Sequence, residues 1–364
     1  LPGIYAAGTP SYFEVELKDG DVAYRSIAPP RSTGIAAVKD VLGTFELRHG
    51  ELARGFDRVL GPAIRAMNDF RLAKSCQSSA MEFGRQFHMT RSSIIIPLHR
   101  RIDFMEYQLA FFSRTLAASH EIIYVLDDPA AKREAAELAQ SCFERFARPF
   151  KLVCLSQNVG YAPANNIGLR YACGEFVCFL NSDVFPREPD WLEYMLEMAA
   201  NHPEAGIVGA LLLFEDGTVQ HEGCVFRNRP ELGGWSFSLH PNKGRCPSAD
   251  KTPTIAEAVT GACLVMSRQL ATELGGFDEG YIIGDFEDAD LCLRVRSKGL
   301  RCLVDRRAEL YHLERQSQDD PGQVWRTNLT LYNAWLFHQR WGVGDAAAVA
   351  ASKQMDATPL GAVA

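Results

Sequence analysis

An α/β fold with a mostly parallel sheet covered by helices is what this sequence predicts, on three observations. Four short apolar runs recur between residues 92 and 181: SIIIPL at 93–98, EIIYVLDD at 121–128, KLVCLS at 151–156 and EFVCFLN at 175–181. Continuous apolar runs of this length suit strands buried on both faces. The stretches between them carry helical spacing, which gives the β-α-β order of a parallel sheet. Acids stand just past the strand ends at Asp127, Asp128 and Asp183, the edge where ligands of such sheets lie.

Residues 1–90 read as an accessory region. FEVELKDGDVAYRSI at 13–27 alternates like a hairpin around Asp19-Gly20-Asp21, and APPRSTG at 28–34 ends it. Leu52, Phe56, Leu60, Ile64 and Met67 then form a helical stripe. It reads as packing against the main domain, with a partner helix or a membrane surface as the other reading. Residues 91–317 hold the α/β domain. An amphipathic helix is predicted over 103–116, an Ala- and Glu-rich one over 130–147 and a third around 163–172. IVGALLLF at 207–214 suits a buried strand and is too short to span a bilayer. AELY at 308–311 reads as an edge or terminal strand. Residues 318–364 form a helical extension with Trp325, Trp335 and Trp341, followed by an alanine-rich tail.

At 364 residues the chain can bury a full core, and its formal charge of -7 argues against a nucleic-acid partner. The 10 cysteines are scattered without a C-x-x-C pair, so no zinc cluster is expected, and a reducing, cytoplasmic compartment fits. No secretory pattern opens the chain, which begins at Leu1 and reads as part of a larger protein. The G-x-G-x-x-A run at 342–347 follows no strand and is set aside as a cofactor site; neither a Walker loop, H-E-x-x-H nor G-x-S-x-G occurs.

Chemistry concentrates at a few positions. Asp183 follows a buried strand and a two-residue turn, where it either caps the turn or holds a divalent ion against a diphosphate. Asn181 serves that turn or touches a nucleotide. His312 is either a structural imidazole or a further ligand, and imidazole with carboxylate suits Mn²⁺. Arg315, Gln316 and Ser317 meet phosphate or form a solvated loop. Asp285 is a candidate N-cap with Asp288 at the capping-box position, yet the run Asp285, Glu287, Asp288 and Asp290 exceeds what capping needs. An acid at a helix start facing a cleft can take a proton from an attacking hydroxyl. Arg294 is expected to pair with one of these carboxylates. Asn158, Gly160, Asn165 and Asn166 lie in a loop that either closes tightly or holds a base or ribose. Trp191 reads as core, and Trp235, in a glycine-rich insertion at 233–253, as an exposed ring able to stack on an acceptor sugar.

These motifs, SIIIPLHR, EIIYVLDD, QNVGYAPANNIGLRYACGEFVCFLNSDV, AGIVGALLLFEDGTVQHEG, AVTGACLVMSRQLATELGGFDE, FEDADLCLRVRSKG and the closing YH, together resemble the family 2 glycosyltransferases of the nucleotide-diphospho-sugar transferase superfamily. The resemblance spans roughly 92–317 and is nearest to bacterial rhamnosyltransferase-like members. It implies a GT-A fold, a divalent cation (Mn²⁺ or Mg²⁺), a nucleoside-diphosphate-sugar donor, an oligosaccharide or lipid-linked glycan acceptor, and inverting transfer in surface polysaccharide synthesis. By that resemblance Pro97, Asp127, Asp128, Asn158, Gly160, Asn165, Asn181, Ser182 and Asp183 line the donor site. Asp127 or Asp128 meets the base, and Asp183 and His312 hold the metal, although Asn181 stands where the family's motif usually begins with aspartate. Asp288 is implied as the base supported by Glu287, with Gly261, Ala262 and Trp235 on the acceptor side. A place at the inner face of the cytoplasmic membrane, within a larger synthesis assembly, is the accompanying expectation. A non-catalytic domain of the same fold and a sugar nucleotidyltransferase are the competing readings; the latter should carry an early glycine- and lysine-rich phosphate loop, and SIIIPLHRR has no glycine.

Overall fold

A computed structural model describes residues 11–16, 22–27, 34–47, 49–85, 90–314 and 323–342. The alternating segment forms an antiparallel pair, β1 (Ser11–Glu16) with β2 (Val22–Ile27), while its Asp19-Gly20-Asp21 turn lies outside the described residues. After α1 (Ile35–Leu42), the apolar stripe winds as α2 (Leu52–Gly55), a π-helical stretch Phe56–Leu60, and α3 (Gly61–Leu72). Leu52, Phe56 and Ile64 are buried and Leu60 and Met67 half-buried.

β3 (Ser78–Phe83), within the 1–90 region, is the edge strand of the main sheet, antiparallel to the strand at 150–155. The predicted β-α-β series follows: β4 (Ser92–Leu98), α4 (Phe104–Thr115), β5 (His120–Leu126), α5 (Lys132–Phe146), β6 (Phe150–Leu155), α6 (Tyr161–Tyr171) and β7 (Phe176–Leu180). The second half contains β8 (Val184–Pro186), α7 (Trp191–Asn201), β9 (Ala205–Leu213), β10 (Val219–His221), β11 (Val225–Arg229), β12 (Trp235–Leu239), β13 (Thr254–Ala256), β14 (Cys263–Ser267), α8 (Arg268–Glu273), α9 (Glu287–Ser297), β15 (Arg301–His312) and α10 (Val324–Trp341).

The sheet runs β13-β15-β9-β14-β7-β4-β5-β6-β3. β7, β4, β5 and β6 are mutually parallel, as are β9 and β15, whereas β14 enters antiparallel between β7 and β9. The sheet is therefore mixed. A helix returns the chain after each of β4, β5 and β6, which forces parallel pairing; β14 comes back from the 222–257 insertion without such a crossover. Both faces are covered. Ile94, Ile96 and Leu98 of β4 enter one core and Ile95 the other, which is why this strand shows no polar alternation.

A third core joins the two flanking regions. Leu42, Leu52, Phe56 and Ile64 meet Leu329, Tyr332, Trp335 and Phe337 of α10, together with Tyr281, Ile282 and Phe286 just before α9. Trp335 also donates to Asp57 at 2.8 Å. The terminal segments thus pack on each other and on the loop that carries the acidic run. No helix among the described residues is long and apolar enough to cross a membrane.

Candidate active site

Because β4 pairs in parallel with both β5 and β7, the residues after those strands reach one edge of the sheet. Asp127 is 5% exposed, and its two carboxylate oxygens accept the Val159 and Gly160 amides at 2.6 and 2.8 Å. Burial raises its pKa to about 7, opposed by those two amides and by Arg71. Arg71 also donates to the Val159 carbonyl at 2.8 Å. Asp127 therefore clips the β6–α6 loop to the sheet, and any nucleobase contact would use its remaining lone pairs. Asp128 is more exposed. Gly160 has φ 91°, and a Cβ there would come within 3.3 Å of Ile35, so the turn needs glycine. Asn158 reaches His99 Nδ1 at 3.2 Å; Asn165 is fully buried, donating to the Tyr161 carbonyl while its Oδ1 lacks a partner. Asn166 instead ties α6 to Phe277 and Glu279.

The second group forms around the end of β7. Gln108 donates to the Asn181 and Val184 carbonyls, and Asn181 N–H donates to Ala262, so the turn holding Asn181, Ser182 and Asp183 is buttressed from two sides. The Asp183 carbonyl accepts from Leu313, which brings the end of β15 alongside. Asp183 Oδ1 lies 3.4 Å from His312 Nε2. The other ring nitrogen, Nδ1, is 2.6 Å from Gln220 Oε1, while Gln220 Nε2 donates to the His312 carbonyl at 3.0 Å. Since Gln220 presents an acceptor, Nδ1 carries the proton and the Nε2 lone pair faces Asp183. The neighbouring Asn181 Oδ1 is buried with no hydrogen-bond partner. The facing carboxylate and oriented imidazole fit a divalent cation such as Mn²⁺ or Mg²⁺, and Asn181 stands two residues before Asp183 in the same turn.

The third group is at the start of α9. Asp288 Oδ2 accepts Gly261 N–H at 2.9 Å and Oδ1 accepts Ala289 N–H at 2.7 Å; the side chain is partly exposed, whereas Glu287 is buried. Burial and then the adjacent Asp288 drive Glu287 well above the usual carboxylate range. Burial raises Asp288 as well, but its two amide donors oppose the shift. Burial thus disfavours the charged form of both, and only Asp288 has two amide donors that favour its carboxylate. A Cβ on Gly261 would meet Tyr161 Oη at 3.0 Å and Asp288 Cβ at 3.4 Å, so the floor at 260–262 approaches the carboxylate closely.

Four points revise or refine the sequence expectations. Asp285 does not cap α9: the N-cap is Phe286, without a side-chain cap, and Asp285 binds Thr330 and Arg326 instead. Trp235 is not an exposed sugar platform. It is 1% exposed and meets Phe56 edge-on at 5.4 Å, because the 225–239 hairpin folds onto the third core. Asp290 is fully buried and serves Arg294, Arg340 and Trp341; the expected Arg294 pairing is made there, at 2.6 Å. Fourth, His221, Cys224 and His240 bring ligand-type atoms within 4.8 Å of one another, a grouping that cysteine spacing alone did not suggest. As folded, His221 Nε2 accepts the Gly223 and Thr260 amides, leaving its Nδ1 to share a proton with His240 Nδ1 at 2.9 Å. Arg315, Gln316 and Ser317 lie outside the described residues.

Sequence reasoning also missed Gln220 and Tyr161. The Tyr161 hydroxyl donates to the Gly261 carbonyl at 2.8 Å. The QH at 220–221 was a visible polar pair after a strand, but nothing in the sequence linked it to His312, 92 residues away.

Residues 93–259 match the family described as Glycosyl transferase family 2. The chain is 29% identical over 256 residues to the O-antigen biosynthesis protein RfbC of Myxococcus xanthus, an alignment covering 67% of this chain and 19% of that protein. It is 30% identical over 158 residues to the N-acetylglucosaminyl-diphospho-decaprenol L-rhamnosyltransferase of Mycobacterium tuberculosis, covering 40% and 50%. The chain spans a quarter or less of the length of the longer curated relatives it matches. Its fold resembles the solved structure of GalNAc-T7 with UDP, GalNAc and Mn²⁺, with a TM-score of 0.55, 16% identity, and 75% and 52% of the two chains covered.

Proposed function

From the match of residues 93–259 to Glycosyl transferase family 2, we propose that the chain is a family 2 glycosyltransferase that transfers a sugar from a nucleoside-diphosphate sugar to a glycan hydroxyl, inverting the anomeric carbon. The observation that carries this reading is the short floor at 260–262. Within it, the Ala262 carbonyl accepts Asn181 N–H, and the adjacent Gly261 N–H donates to Asp288. The proposed base and the proposed leaving-group site are thereby tied to adjacent residues of one segment.

Asp183, His312 and Asn181 would hold the divalent cation, which when bound neutralises the diphosphate and stabilises it as a leaving group. Gln220 keeps the His312 proton on Nδ1. Asp288, ionised and fixed by two amides, accepts the proton of the acceptor hydroxyl. The oxygen then forms its bond to the anomeric carbon as the bond from that carbon to the diphosphate oxygen breaks on the opposite side. Buried Glu287, beside Asp288, lacks the two amide donors that favour the Asp288 carboxylate. Asp127 and the Asn158–Gly160 loop form the base-side wall, with Pro97, Asp128, Asn165 and Ser182 around it. Gly261 and Ala262 form the acceptor floor. No second carboxylate acts as nucleophile.

The Myxococcus relative's part in O-antigen biosynthesis, and the mycobacterial relative's diphospho-decaprenol substrate, support surface polysaccharide synthesis on an oligosaccharide or lipid-linked acceptor. A lipid-linked acceptor would put the chain at the inner face of the cytoplasmic membrane, within a longer synthesis protein.

The test is nucleoside diphosphate release from UDP-, dTDP-, GDP- and CDP-sugars with Mn²⁺ or Mg²⁺ and candidate glycan acceptors. Acceptor-dependent release is expected, reduced by about 10²- to 10⁴-fold in Asp288→Asn. Undiminished release in that variant would remove Asp288 from the base role, and pyrophosphate as product would indicate nucleotidyl transfer instead.

A further inference from the structure

We propose that α10 is a positioning clamp for the carboxylates of α9, holding the loop before them in a backbone conformation it would not adopt alone. This rests on the reading of Asp288 as the base. Ile283, Asp285 and Phe286 all have left-handed backbones, with φ of 64°, 79° and 73°, immediately before Glu287. For a β-branched isoleucine and a phenylalanine that region is a true outlier, and three such residues in four positions persist only where the surroundings enforce them.

The enforcing groups come from α10. Asn333, fully buried, accepts Ile282 N–H at 3.1 Å and donates to the Ile282 and Gly284 carbonyls at 3.1 and 2.6 Å. One turn earlier, Thr330 donates to Asp285 at 2.8 Å, and Arg326 reaches the same carboxylate at 3.1 Å. Phe337 lies 5.4 Å from the Phe286 ring. From α10, then, the backbone of Ile282 and Gly284 and the carboxylate of Asp285 are all held, and Ile283 passes its carbonyl to Tyr161 N–H at 3.0 Å. Tyr161 in turn holds Gly261, the amide partner of Asp288. The clamp is itself anchored from the N-terminal region, since Asn328 donates to the Leu42 and Phe45 carbonyls at 2.7 and 2.6 Å. Asn333, Thr330 and Arg326 are thus positioning residues, which gives the two flanking segments a part in turnover without contact with either substrate.

The experiment uses the full chain with Asn333→Ala, Thr330→Val, Thr330→Ser and the reference variant Asp288→Asn. Steady-state transfer, calorimetric binding of the donor's nucleoside diphosphate with Mn²⁺, melting, and amide hydrogen exchange over 282–290 are measured together. Small misplacement of a reacting group costs rate rather than binding, so kcat should fall about 10-fold in Thr330→Val and about 100-fold in Asn333→Ala. Donor KM and nucleotide affinity should stay within about 3-fold, exchange over 282–290 should quicken, and Thr330→Ser should restore the rate. Loss in Asp288→Asn with full turnover in Asn333→Ala and Thr330→Val would overturn the clamp alone. Full turnover in Asp288→Asn would overturn the base assignment and the clamp's catalytic role with it. Equal losses of kcat and nucleotide binding would reduce the contacts to general stability. Unchanged exchange over 282–290 would overturn the clamp whatever the turnover.

Discussion

Replacing Gln220 by leucine isolates the hydrogen bonds that orient His312 without touching a proposed cation ligand. Gln220 is 5% exposed and makes two contacts with His312, at 2.6 Å to the ring and 3.0 Å to its carbonyl. Leucine fills similar space but leaves both groups without those partners, so the ring can rotate and its proton can move to Nε2, the atom facing Asp183. Loss of an outer partner of this kind weakens metal binding by about 10- to 100-fold, or roughly 1.4–2.7 kcal/mol. Mn²⁺ titration by calorimetry, with and without nucleoside diphosphate, measures it directly. Stripping the buried groups of partners also costs about 1–3 kcal/mol of folding stability, so titrations are run well below both melting transitions. Mn²⁺ affinity within about 3-fold of the parent, in a folded variant, would refute the assignment of His312 as an oriented ligand.

Trp235→Ala should destabilise the fold by about 3–5 kcal/mol in chemical denaturation, since it empties the edge contact with Phe56, and should leave the acceptor KM unchanged. Gly261→Ala should lower kcat by at least about 10-fold in the transfer assay, because the added methyl displaces the Tyr161 hydroxyl and crowds Asp288. Asp127 gives a pH signature. Its pKa rises from an ordinary 3.8 to about 7 on folding, so the folded chain keeps a proton that the unfolded chain has lost. Stability from this group therefore falls as pH climbs from about 4 to about 7 and is level above that. Asp127→Asn removes that slope while orphaning one of two amides, a pH-independent cost of about 1–3 kcal/mol. Denaturation across this range should show the variant gaining on the parent by up to roughly 4 kcal/mol as pH rises; parallel curves would refute the buried-acid account.

The apolar runs that became β4 to β7 were legible because strands buried on both faces need no polar residues, and the helices between them left only parallel pairing. The acids at their ends were legible for the same reason: a polar side chain just past such a strand is released at the sheet edge. Asp183, Asp288 and His312 could each be singled out from residue type and flanks. Their arrangement could not. The antiparallel entry of β14 carries Gly261 and Ala262 between Asn181 and Asp288, and strand order across a sheet follows from packing of distant segments rather than from local spacing. Trp235 shows the limit most clearly, since a glycine-rich, polar neighbourhood suggested exposure while a helix nearly 180 residues away covers the ring. Likewise Asp285 resembled a helix cap until α10 supplied Thr330 and Arg326. Residue chemistry and local period are written in the chain itself; which oxygen is paired, which ring is covered and which proton is held depend on partners that only the folded contacts bring together.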